Sequence, residues 1–118
     1  MVQFPTDEEM QAIKRSVIIP MVITVLHRDK KILEESEIKT KGPYIALMES
    51  ALKKAEKEWY DARRLFRSNG IKVYEEKRTE TEVEIKYVIR GYHHVTSLPW
   101  HVVKQNVEEV MKSYFGVE

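Results

Sequence analysis

The chain has 118 residues, no cysteine, and 20 Lys or Arg against 19 Asp or Glu, for a net charge of +1. Disulfides and thiolate metal sites are excluded, and no global field draws the chain onto nucleic acid or a membrane. With 42% apolar and 33% charged residues, the composition argues against disorder and for one folded domain, residues 1–118, with a well-solvated surface.

Thr6 and Glu9 stand at capping-box spacing, so a helix is predicted from Asp7, with Met10, Ile13 and Val17 on its apolar face. Pro20 lacks an N–H and clashes with the preceding turn. The expectation is therefore either two N-terminal helices or one kinked helix, the later part carrying Val22, Val25, Leu26 and Leu33 on one side. The β-branched density of Val17 to Val25 also leaves a strand open. The apolar run from Val17 to Leu26 is shorter than the roughly 20 residues of a membrane span. Acidic Asp7, Glu8 and Glu9 precede it, where a signal peptide carries positive charge. It reads as buried core, and the chain as cytoplasmic.

From Pro43 to Gly70 the sequence holds no interior Gly or Pro. Proline suits a first helical turn and glycine a helix end. A single long helix follows, which at 1.5 Å per residue spans about 39 Å. A compact chain of this length is roughly 35 Å across, so the helix crosses the domain or protrudes from it. Its apolar stripe is Tyr44, Met48, Ala51, Ala55, Trp59, Ala62 and Phe66, close to the heptad spacing of a helix packed along its length.

After Gly70 the period changes to two. Ile71 and Val73 alternate with Lys72 and Tyr74, and Val83, Ile85, Tyr87 and Ile89 alternate with more polar residues. Strands with one buried face are predicted, joined by the charged link Lys77 to Thr81 as an antiparallel β-hairpin. Gly91 breaks the second strand or places a bulge. Pro99 opens the last element, with Ser97 as a nearby cap. Trp100, Val103, Val107, Val110 and Tyr114 recur at helical steps until Gly116. The fold class is α+β and mainly helical: two N-terminal helices or one kinked, a long central helix, a β-hairpin and a C-terminal helix.

Two surfaces stand out. Lys53, Lys57, Tyr60, Arg63, Arg64 and Arg67 recur at helical spacing, read here as a face turned away from Trp59 and Phe66. Such a basic stripe follows a phosphate backbone, or else is an ordinary solvated face whose cations favour the helix C-terminus. The hairpin, with Lys77 and Arg78 at its tip, then resembles the wing of a winged-helix DNA binder, although five glutamates surround that tip. The second surface is Tyr87, Arg90, Tyr92, His93 and Trp100, residue types that anchor protein interfaces. His93 and His94 are adjacent and point to opposite faces of a strand, so at most one joins His101 around an ion, and no metal is inferred.

Enzymatic motifs are missing. His27-Arg28-Asp29 spells a kinase tripeptide without the glycine-rich loop, strand lysine or Asp-Phe-Gly that a kinase needs. No P-loop, nucleophile elbow or dinucleotide fingerprint occurs, so no cofactor and no small-molecule substrate is expected.

The run Ile19-Pro20-Met21-Val22-Ile23-Thr24-Val25-Leu26-His27-Arg28-Asp29, followed by Lys41-Gly42-Pro43-Tyr44-Ile45, resembles small uncharacterised proteins of spore-forming bacteria and their phages. The resemblance implies a regulatory or mobile-element accessory protein and no activity. The leading expectation is a non-enzymatic interaction protein, self-associating through the long helix or bound to a protein partner. The alternative is a nucleic-acid-binding accessory factor.

Overall fold

A computed structural model describes residues 4–117. The elements in order are α1 (Asp7–Glu35), α2 (Lys41–Asn69), β1 (Ile71–Arg78), β2 (Glu82–Ile89), β3 (Tyr92–Pro99) and α3 (Trp100–Phe115). The architecture is α+β and mainly helical, as the hydrophobic periods indicate.

The capping box forms as spaced. The Thr6 hydroxyl accepts from the Glu9 N–H at 3.1 Å, and the Thr6 N–H donates to Glu9 Oε1 at 2.9 Å. One continuous helix then runs through Pro20 to Glu35, neither two helices nor a strand. Burial outweighs the local penalty. Ile13, Val17, Ile18, Ile19, Val22 and Leu26 are all within 2% of full burial, and each such side chain contributes about 2 kcal/mol by leaving water. The Thr24 hydroxyl donates to the Pro20 carbonyl at 3.0 Å. By length and composition α1 is apolar enough to cross a membrane; in this fold it is the central core helix.

α2 begins at Lys41, two residues before Pro43. Proline is tolerated there because the first-turn N–H groups have no intrahelical partner in any case. Ala51 and Ala55 are fully buried and Ala62 nearly so, and their small side chains let α1 and α2 pack closely as an antiparallel pair.

The sheet has three antiparallel strands in the order β1-β2-β3, one more than the predicted hairpin. β2 is central. Its Val83, Ile85, Tyr87 and Ile89 face the helices, while Glu84, Lys86 and Val88 lie on the outer face. The stretch Tyr92–Pro99 forms the third strand, beyond the predicted hairpin. Ile89 pairs with Tyr92 across a two-residue turn, Arg90-Gly91. Both turn residues have positive φ, 47° and 91°, the backbone twist that lets a two-residue loop join right-twisted strands. In β1 the register shifts between Val73 and Glu75, a bulge at Tyr74.

α3 starts at Trp100 after Pro99; Ser97 belongs to β3 and makes no cap. The helix lies against both α1 and α2. The molecule measures 57 × 31 × 24 Å with a radius of gyration of 16.3 Å, against roughly 13 Å for a compact chain of this length. The excess is the α1–α2 pair, whose joined ends extend past the sheet and past the end of α3.

Candidate functional site

The last turns of α2 carry Trp59, Arg63, Phe66 and Arg67 at steps of four, three and one, so all four border one side of the helix. β1 leaves the helix end at Ile71 and runs back beside it, and α1 passes behind at Ser16 and Val17. Between the three elements lies a half-open cleft of about 360 Å³. Val17, Ile71 and Val73 supply apolar walls, Trp59 and Phe66 a flat aromatic side, and Arg63, Arg67 and Lys72 the rim. The Arg63 guanidinium lies 5.5 Å from the Trp59 ring centroid, within cation–π range.

Arg63 and Arg67 therefore do not sit on a face away from Trp59 and Phe66, as the helical spacing suggested. The stripe is wide enough for its inner edge to meet the aromatic edge. Glu76, the one carboxylate in the cleft, is bridged by Arg78 at 3.5 Å. Among the described residues, Arg63, Arg67 and Lys72 enter no salt bridge.

Lys53, Lys57, Tyr60 and Arg64 continue the basic face outward and are exposed. The Arg64 guanidinium lies 5.9 Å from the Tyr60 ring centroid. Lys53, Lys57 and Arg64 likewise form no ion pair among the described residues. At the hairpin tip, by contrast, Arg78 is tied to Glu76, and the Trp100 indole donates to the Thr79 carbonyl at 2.7 Å.

Tyr87, Arg90, Tyr92, His93 and Trp100 are scattered by the strand pleat and form no single patch. Tyr87 is 2% exposed and stacks on His94 at 5.4 Å. Its phenol is raised above the ordinary 10.0 by burial. Arg90 turns inward and donates to both carboxylate oxygens of Glu9 and to the Asn69 carbonyl. These two are structural residues, a correction to their reading as interface anchors. Trp100 closes the β1–β2 turn. Tyr92 and His93 remain exposed, His93 within 3.3 Å of the Tyr74 hydroxyl. No group of three His, Asp, Glu or Cys is arranged for a metal among the described residues.

Sequence reasoning missed a further surface. At the joined ends of α1 and α2, Ile32, Ile38, Tyr44 and Leu47 are 59%, 43%, 51% and 40% exposed. The available signal was Ile32 and Ile38, apolar residues within the largely charged stretch from Asp29 to Lys41. It was also Tyr44, which continues the core stripe of α2 past the point where anything covers it.

A profile of the family described as YhjD protein matches residues 4–118. The chain is also 32% identical over 108 residues to the uncharacterized protein YhjD of Bacillus subtilis (strain 168), covering 92% of this chain and 90% of the relative. No solved structure matches. The chain belongs to the YhjD family, an uncharacterised bacterial group.

Proposed function

We propose that this chain is a non-enzymatic interaction protein that self-associates through the projecting end of its α1–α2 pair. The observation that carries this reading is the cluster Ile32, Tyr44 and Leu47, exposed where the helices outrun the rest of the fold. α3 lies against both helices and stops at Gly116, so the groove between α1 and α2 continues bare beyond it. Met21, Val25 and Ile32 recur along α1 at steps of four and seven on one side of that length. A second copy is the fitting occupant. Between His27 and Lys41 the tip mixes Arg28, Lys30, Lys31, Lys39 and Lys41 with Asp29, Glu34, Glu35 and Glu37. Mixed charge suits an antiparallel mate of the same sequence better than a partner of one sign. Two such pairs related by a two-fold axis make a four-helix bundle with an isologous interface.

Light scattering after size exclusion tests this. The expected mass is twice the 14.0 kDa of the chain, falling to the monomer on Ile32→Glu with Leu47→Glu, both exposed and so harmless to folding. A strict monomer at every concentration overturns it, as does a dimer indifferent to both substitutions.

A second reading is favoured by a separate observation: Lys53, Lys57 and Arg64, beside Tyr60 on the outer face of α2, enter no salt bridge among the described residues. There the chain is a nucleic-acid accessory factor. Each phosphate contact releases a counterion, so affinity for generic duplex DNA falls with salt at a slope near −0.9 per contact. Loss of binding on Lys57→Gln with Arg64→Gln supports it, and no binding at low salt removes it.

A further inference from the structure

We infer that the cleft between α2, α1 and β1 is a binding site for a small organic anion with a flat apolar body. Three features set the ligand class. First, the volume of about 360 Å³ falls at the lower end of ligand pockets, roughly 300–1,000 Å³. It holds a body of about two fused rings. Second, the walls sort by chemistry. Trp59 and Phe66 offer ring surface, Val17, Ile71 and Val73 close the inner side, and the polar groups gather at the rim. Third, the rim is cationic without internal compensation. Arg63, Arg67 and Lys72 enter no salt bridge among the described residues, and Glu76 is already held by Arg78.

The three cations are not equivalent. Arg67 stands in the last turn of α2, where the negative end of the helix dipole offsets part of its charge. Arg63 and Lys72 are left to meet the ligand's anionic group from two elements, one on the helix and one on the strand. Arg63 is already placed, since its guanidinium lies at 5.5 Å from the Trp59 ring centroid. A ring lying along Trp59 carries its carboxylate or phosphate toward that guanidinium. Ser16 at the back is a poor alternative donor, because its hydroxyl already donates to the Ile13 carbonyl at 2.5 Å. Selectivity for the anion rests on Arg63 and Lys72.

The test is calorimetry on the intact chain with four probes: 1-naphthyl phosphate, 2-naphthoate, neutral 1-naphthol and inorganic phosphate. Both naphthyl anions are expected to bind about tenfold more tightly than naphthol or phosphate alone, the range a charge-assisted contact supplies. Whichever anion binds more tightly identifies the natural head group as phosphate or carboxylate. Arg63→Gln and Lys72→Gln each weaken the better anion about fivefold, while Arg64→Gln, on the outer face, leaves it unchanged. On the unsubstituted chain, the Trp59 indole N–H moves in NMR spectra during titration and that of Trp100 does not. Equal affinity for naphthol and the naphthyl anions overturns the proposal, as does a loss on Arg64→Gln matching that on Arg63→Gln. Absence of heat with a motionless Trp59 resonance overturns it as well. None of these outcomes touches the tip of the α1–α2 pair.

Discussion

Glu9 and Arg90, separated by 81 residues, meet in a two-point ion pair, Nη1 to Oε2 at 2.9 Å and Nη2 to Oε1 at 3.2 Å. Glu9 is 3% exposed and also caps α1 through Thr6, while the Asn69 amide at the end of α2 donates to it at 3.0 Å. One carboxylate thus joins the start of α1, the end of α2 and the β2–β3 turn. The Arg90 guanidinium chiefly, then the Thr6 N–H, hold its pKa down from 4.5 to about 2, against burial, which pushes the other way. A carboxyl lowered in the folded state adds stability that is complete above its unfolded pKa. That stability is lost as pH falls through the folded one, so the window runs from about 4.5 down to about 2. Allowing for solvent around the partly exposed Arg90, the contribution is on the order of 2 kcal/mol. Urea unfolding of Glu9→Gln is expected to show this loss at neutral pH. Arg90→Met is expected to flatten the acid dependence between those limits, and a wild-type acid slope in that variant contradicts the assignment.

Gly70 is coupled to the same junction. It sits at φ 67°, and a Cβ there meets the Arg90 Cγ at 3.2 Å. Gly70→Ala combines left-handed strain with pressure on the ion-paired side chain, and is expected to cost about 1–2 kcal/mol. Gly42, in the first turn of α2 with nothing within 4 Å of a Cβ, is the contrast: Gly42→Ala is expected to be neutral or to stabilise by about 0.5 kcal/mol. Paired thermal melts of the two variants decide it, and equal shifts count against the close approach.

The periodic elements were legible because one face of each is buried. Val83, Ile85, Tyr87 and Ile89 alternate in sequence and are buried in alternation; on the predicted stripe of α3, Val103, Val110 and Tyr114 are buried and Trp100 and Val107 half-buried. β3 was illegible because its inward residues, Tyr92, His94, Thr96 and Leu98, carry only one aliphatic side chain among four. Pro20 misled because its local penalty is visible in the sequence and the burial of Val17, Ile18, Ile19 and Val22 around it is not. The cleft needed the placement of α1 behind α2, and Arg90 needed the fold to bring Glu9 to it. Exposure at the tip follows from α3 being shorter than the groove it occupies, a relation between three elements that no single period carries.

Tyr114 closes a second junction, between α3, α2 and α1. Its hydroxyl donates to Glu58, which also bridges Arg15 at 3.1 Å, and its carbonyl accepts from Lys54 Nζ at 2.8 Å. Burial first, then the Glu58 carboxylate, raise this phenol well above its ordinary 10.0. An acid whose folded pKa is raised adds stability that is complete below the unfolded value of 10.0 and is lost as pH climbs past it. Ultraviolet titration is expected to show Tyr114 and Tyr87 ionising above the ordinary 10.0. Tyr114→Phe is expected to remove one lagging chromophore and about 1 kcal/mol of stability. A variant in which every tyrosine still titrates as before contradicts this placement.

Local stability is expected to fall along the α1–α2 pair. Near Ile13, Val17, Ala55 and Ala62 the two helices are covered by the sheet and by α3. From Asp29 to Leu47, apart from half-buried Asp29, Lys30, Leu33, Ser36, Lys41 and Ile45, the side chains face water. Opening that end exposes little apolar area, so its amides exchange by local fluctuation and those of the covered turns by global unfolding. In the monomeric Ile32→Glu, Leu47→Glu chain, amides around His27 to Glu35 and Tyr44 to Met48 are expected to exchange at least about tenfold faster than those around Val17 to Val22. In the unsubstituted protein the same amides gain protection as concentration rises, because association buries the tip. Protection that stays even along both helices, and does not change with concentration, removes the tip as the point of contact.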